Sequence, residues 1–148
     1  MRFVRWCLLV ASLCVAVGIF FLAGCMQNPY GDYRDGVLTE REYYLFSPSS
    51  QAAMQADVEL CEYFCITGEK AVFLFDTEED AGRYAMKLLK TQDATVVFEE
   101  VVADVWSMYA HTKRIGTGVR IGGAYINLHI VLSGKRVQVG TPIVFGGY

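Results

Sequence analysis

The segment Lys70–Phe75 (KAVFLF), followed directly by Asp76–Asp80 (DTEED), decides the predicted fold. Its first part is apolar on both alternating faces, which is typical of an interior strand covered on both sides. Its second part predicts the start of a helix, because Thr77 is suited to cap it and Asp80 lies three residues further on. The acidic side chains also favour the positive end of the helix dipole. A buried stripe follows at helical spacing: Ala81, Tyr84, Ala85, Leu88 and Leu89.

A second helix is predicted upstream, from about Ser50 to Phe64. A short aromatic strand, Glu42–Phe46 (EYYLF), precedes it. The segment Ile66–Gly68 predicts its exit, because glycine readily takes the left-handed conformation that ends many helices. The apolar face of this helix consists of residues at three- and four-residue spacing: Ala53, Ala56, Leu60, Cys61 and Phe64.

The rest of the chain predicts strands. Residues 94–105 (ATVVFEEVVADV) are rich in β-branched side chains and predict one long strand, bulged near Glu99–Glu100. Residues 112–123 (TKRIGTGVRIGG) predict a glycine-punctuated connection. Residues 124–139 then predict a hairpin, because alternating apolar and polar side chains are interrupted by a tight turn at Ser133–Gly134.

These elements predict a single small α+β domain. The expected order is βαβα followed by antiparallel strands, giving a mixed or antiparallel sheet with two helices packed on one face. The strand–helix–strand unit at residues 70–99 resembles half of a ferredoxin-like fold. Many unrelated functions use that arrangement, so the fold by itself indicates no function.

The first residues have the charge order of an export signal. Met1–Arg5 carries two positive charges and no acid, and residues 6–24 contain no charged side chain. A basic start, an apolar middle and small residues at the end are typical of a secretory signal peptide. About 20 apolar residues also suffice to span a bilayer, so a retained membrane helix is the competing interpretation.

The end of this run, Leu22-Ala23-Gly24-Cys25, resembles the lipobox of bacterial lipoproteins. The resemblance covers only residues 1–25. It implies that a diacylglyceryl group is attached to the thiol of Cys25 and that a peptidase then cuts before this residue. The small residues at 23 and 24 fit a narrow protease cleft.

The resemblance implies a three-part organisation. Residues 1–24 would be a removed signal peptide, 25–40 a lipidated cysteine with a flexible tether, and 41–148 the globular domain. The protein would lie at the cell membrane or the outer membrane, anchored by lipid, with its domain outside the cytoplasm. Two acyl chains are enough for stable anchoring.

The charge of the chain limits its partners. The whole sequence has a formal net charge of −3, and removal of the signal leaves 13 − 2 = 11 basic against 16 acidic residues, a net charge of −5. Net acidity without a Lys/Arg cluster argues against nucleic acid binding. An acidic domain also gains little from anionic head groups, so the lipid rather than a basic patch would hold it at the membrane.

Two of the five cysteines have no role in this scheme once the signal is removed and Cys25 is lipidated. Cys61 and Cys65 have helical i, i+4 spacing, so their thiols would face the same side. Three fates are open: a disulfide, a metal site completed by His111 and His129, or two free thiols.

The sequence contains no recognisable catalytic pattern. There is no Gly-x-Ser-x-Gly elbow and no HExxH helix. Residues 116–123 (GTGVRIGG) fit neither the dinucleotide pattern nor the Walker pattern. Glu99 and Glu100 are neighbours on a strand and face opposite sides, so they are not a facing catalytic pair. We therefore expect no enzyme activity, no cofactor and no resident metal.

Aromatic side chains provide a candidate protein interface. Trp106, Met108 and Tyr109, together with the aromatic strand at 43–46, are predicted to form an exposed binding patch, because aromatic residues are enriched in interface cores. The glycine-rich loop at 112–123 is expected beside Trp106. The sequence therefore favours a membrane-anchored lipoprotein that acts as a non-enzymatic protein-binding or envelope-assembly accessory. The alternative is a metal or small-ligand carrier that uses Cys61 and Cys65.

Overall fold

A computed structural model describes residues 36–48, 53–59 and 62–145. All of them belong to the second of the two units into which the chain divides, Asp32–Tyr148. The predicted signal peptide at 1–24 lies outside the described residues. Strand β1 (Val37–Leu45) begins within the tether predicted at 25–40, so residues 37–40 are strand.

The described residues form nine strands, one α-helix and a 3-10 helix at Tyr63–Cys65. Seven strands make one antiparallel sheet in the order β2-β1-β3-β9-β8-β5-β4, and β6 and β7 make a second, two-stranded sheet. After β1, the elements in chain order are β2 (Ala53–Gln55), β3 (Ile66–Leu74), α1 (Glu78–Thr91), β4 (Thr95–Val102), β5 (Val105–His111), β6 (Val119–Ile121), β7 (Ala124–Ile126), β8 (Leu128–Ser133) and β9 (Arg136–Thr141).

This architecture shows that the predicted two-helix α+β fold is wrong. The described residues are mostly strand, and α1 is the single α-helix among them. The ferredoxin-like resemblance at 70–99 fails for a topological reason. Strands β3 and β4 flank α1 in the chain, but β9, β8 and β5 lie between them in the sheet.

The helix predicted from Ser50 to Phe64 is replaced by sheet pairing. Residues 53–55 form β2 and pair with Tyr43–Leu45 of β1. Ala53 and Ala56, expected on the buried helical stripe, are exposed. Tertiary pairing with β1 overrides a helical pattern that rests on a few small apolar residues, since intrinsic propensity is a weak preference.

Helix α1 confirms the prediction made from its cap and its stripe. The side chain of Thr77 accepts a hydrogen bond from the backbone N–H of Asp80 at 3.1 Å. All five predicted stripe residues are buried. Leu88 and Leu89 each contribute roughly 1.5–3 kcal/mol by leaving water. Within the described ranges, no helix is long and apolar enough to cross a membrane.

The register of the sheet defines two faces, because directly opposed residues on antiparallel strands point to the same side. The ring of Phe73 in β3 packs against Tyr84 of α1 at 5.3 Å, so this side is called the helix face. One row of opposed residues on the helix face runs from β3 to the β4 edge: Phe73, Val137, Leu132, Trp106 and Val101.

The opposite side, called the tail face, is crossed by residues 142–145. The backbone N–H of Val144 donates to His129 Nδ1 at 3.1 Å, and that of Phe145 donates to the Tyr44 hydroxyl at 3.3 Å. Two glycines make room for this segment. A Cβ on Gly68 would collide with Thr141 and Pro142, and one on Gly140 would collide with the backbone of Ile143 and Val144.

The single long strand predicted at 94–105 is two strands joined by a turn. Ala103 and Asp104 both have positive φ, 48° and 66°, as in a type I′ hairpin. Such turns favour Asn-Gly, so the pair Ala-Asp gave no turn signal. The bulge lies between Val96 and Phe98 rather than near Glu99–Glu100.

Candidate functional site

Strand β4 forms one edge of the seven-stranded sheet and is exposed along all eight of its residues. Among the described strands it pairs only with β5. The exposed fractions of Val101 and Val102 are 68% and 65%. Five large apolar side chains of this strand are exposed: Val96, Val97, Phe98, Val101 and Val102.

The apolar side chains of β4 lie on both sides of the sheet. Val96 and Val101 oppose residues of the helix face, whereas Phe98 and Val102 oppose residues of the tail face. The bulge between Val96 and Phe98 adds one residue to the strand, which is why these two side chains lie on opposite faces although they are two residues apart. Exposed apolar side chains therefore lie on both faces of this edge strand.

Two carboxylates lie in the middle of the edge, on opposite faces as predicted. The Trp106 indole Nε1–H donates to Glu99 Oε2 at 3.1 Å, and the Tyr109 hydroxyl donates to Glu100 Oε1 at 2.9 Å. Both donors are neutral. Neither carboxylate forms an ion pair with another described residue. Within the described part of the chain, the edge therefore presents two carboxylates that no cationic side chain pairs with.

An aromatic row connects this edge to the centre of the sheet. The ring of Phe98 stacks on Tyr109 with centroids 4.2 Å apart, and Tyr109 stacks on His129 at 4.1 Å. Burial lowers the pKa of His129 to about 4. The imidazole is therefore neutral near pH 7, as its role of accepting the Val144 N–H at Nδ1 requires. The row holds β4 in place through packing and does not provide a base at the edge.

An ion cluster lies on the tail face of strands β1, β3 and β9, away from the β4 edge. Lys70 Nζ lies 2.6 Å from Glu42 Oε2 and 3.0 Å from Glu40 Oε1, and Arg136 lies 3.6 Å from Glu40. Burial by itself would lower the pKa of Lys70, but hydrogen bonds to Glu42 and Glu40 outweigh it and the pKa is raised. The amine therefore stays protonated and paired, which suits a structural cluster rather than proton transfer.

The predicted interface residues Trp106, Met108 and Tyr109 do not form one exposed patch, and Met108 is buried. Trp106 and Tyr109 are three residues apart on β5 and so lie on opposite faces. Each instead donates a hydrogen bond to a different glutamate of β4, so both side chains help to hold the edge strand against β5. The loop at 112–123 leaves the far end of β5 and does not lie beside Trp106.

Two of the four glycines in the loop at 112–123 form a turn. Gly122 and Gly123 have positive φ, 57° and 87°, between β6 and β7. Buried Asn127 fixes the start of the loop, since its Nδ2 donates to the Thr112 carbonyl and its Oδ1 accepts from the Thr112 N–H. The loop therefore leads into the β6–β7 hairpin, and side-chain hydrogen bonds from Asn127 hold its start.

The remaining predicted site residues are tested only in part. Leu22, Ala23, Gly24, Cys25 and Cys61 lie outside the described residues. Cys65 is a free, half-buried cysteine in the 3-10 helix. In the part of the chain that the structure describes, no group of three or more His, Cys, Asp or Glu side chains is placed to hold a metal ion.

Comparisons of the chain with protein-family models, with curated proteins and with solved structures find no match. The candidate site therefore depends on the geometry of the chain itself. The sequence did contain a signal for the edge. Two consecutive glutamates inside a β-branched run place a charge on each face, which is typical of a strand that is covered on neither side.

Proposed function

We propose that the protein is a non-enzymatic binding protein of the bacterial cell envelope, anchored through lipid on Cys25, and that it contacts a protein partner through β4. The observation that carries this proposal is the exposure of all eight β4 residues at the end of the sheet. A long apolar edge strand offers unpaired backbone groups to another chain.

The side chains of β4 support a protein partner. Apolar residues are exposed on both faces of the strand, and contiguous exposed apolar surface marks interaction sites in soluble domains. Phe98 adds an aromatic ring, a residue type enriched in interface cores. The aromatic row to His129 fixes this ring before binding, which limits the ordering cost of association.

The anchor rests on the sequence around Cys25. Two acyl chains on this residue would give stable membrane attachment. Residues 26–36 would join it to β1, and a flexible tether of this length reaches about 18 Å on average. The domain would then work close to the surface of the cytoplasmic or the outer membrane, outside the cytoplasm.

Metabolic labelling with radioactive palmitate in bacterial cells tests the anchor. The full chain should take up label and sediment with membranes, and Cys25→Ala should do neither. The matched control is Cys65→Ala, which removes a half-buried thiol and should keep both properties. A Cys25→Ala protein that still incorporates palmitate would contradict the anchor.

Site-specific photo-crosslinking tests the partner surface. A photoreactive amino acid at Val101 should give a discrete adduct in intact envelopes, because this side chain projects from the open edge. The control position is Met86, which is exposed on α1. Adducts of equal yield at both positions, or at neither, would contradict a binding site on β4.

A further inference from the structure

No described strand pairs with the outer edge of β4, which can therefore accept one further strand. Its inner edge is bonded to β5 over the whole strand, from Thr95 opposite His111 to Val102 opposite Val105. On a strand with one paired edge, alternate backbone groups point away from the sheet. An extended segment can bond to those groups, which is the recognition mode in which a peptide adds to a sheet.

The exposed apolar side chains of β4 favour a segment that also carries apolar side chains. Val96 and Val101 are available on the helix face, and Phe98 and Val102 on the tail face. A bound strand would place its own alternating side chains beside them on both faces. Cross-strand pairs of this kind each contribute roughly 0.2–1 kcal/mol.

Glu99 and Glu100 favour a segment of positive charge. Glu99 and Glu100 occupy the middle of the strand, one on each face, and are held by the neutral donors Trp106 and Tyr109. An opposite charge directly across the strands stabilises pairing, and a like charge weakens it. Charge complementarity therefore calls for Lys or Arg at the centre of the bound segment.

A second copy of the same chain fits this edge poorly. Antiparallel pairing of two β4 strands centred on Glu99 would place this residue opposite its own copy, and pairing centred on Glu100 would do the same for Glu100. A register centred on Phe98 would place Glu99 and Glu100 opposite Val97 and Val96 of the copy, and β4 carries no Lys or Arg that could pair with the four carboxylates. The charge pattern therefore selects a different chain.

Resting on the proposed function, we infer that an extended segment of a partner protein adds to β4 as an eighth strand and places Lys or Arg against Glu99 and Glu100. The sheet would then continue from β5 through β4 into the partner. Backbone bonds would supply much of the affinity, and the two glutamates would supply the selectivity for basic segments.

A random dodecapeptide phage library, selected on the full chain in detergent, tests this inference. The enriched peptides should combine β-branched residues with at least one Lys or Arg near the centre. Reversal of both charges in Glu99→Lys/Glu100→Lys should weaken their binding by about tenfold or more, since two surface ion pairs become repulsive. The same library selected on that double variant should enrich acidic peptides instead.

A matched control and a position readout complete the experiment. Glu79→Lys reverses the charge of an exposed carboxylate on α1, which pairs with Arg83 at 3.2 Å, and should leave peptide affinity unchanged because this side chain is not on β4. With a selected peptide bound, the backbone amides of Thr95–Val102 that point away from β5 should gain protection from hydrogen exchange, and those of α1 should not. In the NMR spectrum, the indole N–H signal that is missing from Trp106→Phe is assigned to Trp106. This signal should shift when the peptide binds, because the indole donates to Glu99.

The peptide selection and the crosslinking test the inference and the proposed function separately. Peptides that are enriched without basic residues, or that protect residues outside β4, would overturn the inference. No enrichment at all would mean that the glutamates and the bulge close the edge against pairing, which also overturns it. If crosslinking at Val101 nevertheless captures a partner through a segment that is not extended and basic, the inference fails while the proposed function stands.

Discussion

Strands β4 and β9 lie in the same sheet, but the more apolar of the two is the exposed one. β4 (TVVFEEVV) carries five large apolar residues, and none of its residues is buried. β9 (RVQVGT) carries two valines, yet five of its six residues are buried. β9 lies between β3 and β8, with α1 over one face and residues 142–145 over the other, whereas β4 has a neighbour on one side. Position in the sheet order, rather than composition, decides burial.

The largest effect expected from this comparison comes from truncating the centre. Ile130 of β8 is fully buried opposite Val139 of β9, so Ile130→Ala should lower the free energy of unfolding by about 2–5 kcal/mol. The matched change at the edge, Val101→Ala, should cost about 0.5 kcal/mol or less. Urea denaturation of both variants measures this, and equal losses would break the comparison.

A pH-dependent loss of stability is expected from the buried imidazole of the centre. Burial depresses the pKa of His129 from its ordinary value of 6.5 to about 4 in the folded protein. The unfolded chain therefore binds the proton more readily. The contribution of His129 to the free energy of unfolding should fall by roughly 3 kcal/mol as the pH drops from about 6.5 to about 4, and this contribution should level off below that range.

The variant His129→Gln isolates that contribution, because its amide oxygen can still accept the Val144 N–H. Denaturation of both proteins across this pH range gives the difference between them. We expect the difference to depend on pH in the stated direction. A difference that is constant with pH would show that His129 does not titrate as its burial requires.

The tail that covers β9 should not tolerate a side chain at Gly140. A Cβ there would collide with the backbone of Ile143 and Val144, so Gly140→Ala should cost about 1–3 kcal/mol through overpacking or displacement of the tail. The control is Gly116→Ala, because no atom lies within 4 Å of a Cβ at Gly116. Similar stability of the two variants would mean that residues 142–145 do not pack on the tail face.

The smallest effect concerns the turn that joins β4 to β5. Ala103 has a φ of 48°, a conformation that disfavours residues with a Cβ. Ala103→Gly should therefore raise the free energy of unfolding by about 0.5–1 kcal/mol. Thermal and urea denaturation measure it. Destabilisation by the substitution would show that the turn is not of the left-handed type.

Features with local signals were predictable from sequence. The cap at Thr77 and the apolar stripe of α1 lie within one continuous segment, and both were correct. Of the hairpin predicted at 124–139, the alternation in β8 and the turn after it were correct, since Gly134 has the positive φ that the turn requires. Residues 124–126 instead form β7 of the second sheet. Each of the correct predictions depends on residues a few positions apart.

Features that depend on distant pairing were not predictable. The position of β4 at the edge follows from β9 inserting between β3 and β8, a pairing of segments far apart in sequence. The helix expected at 50–64 failed because β1 supplies a strand partner for Ala53–Gln55. The lipidation of Cys25 and its motif Leu22-Ala23-Gly24 stays a prediction.

Amide hydrogen exchange in the full chain tests the central claim most directly. If β4 is an open edge, its backbone amides that point away from β5 should exchange orders of magnitude faster than those of β9, which should exchange only through global unfolding. Uniform protection of Thr95–Val102 at the level of Arg136–Thr141 would contradict the claim, because it would mean that the edge is already covered in the isolated protein.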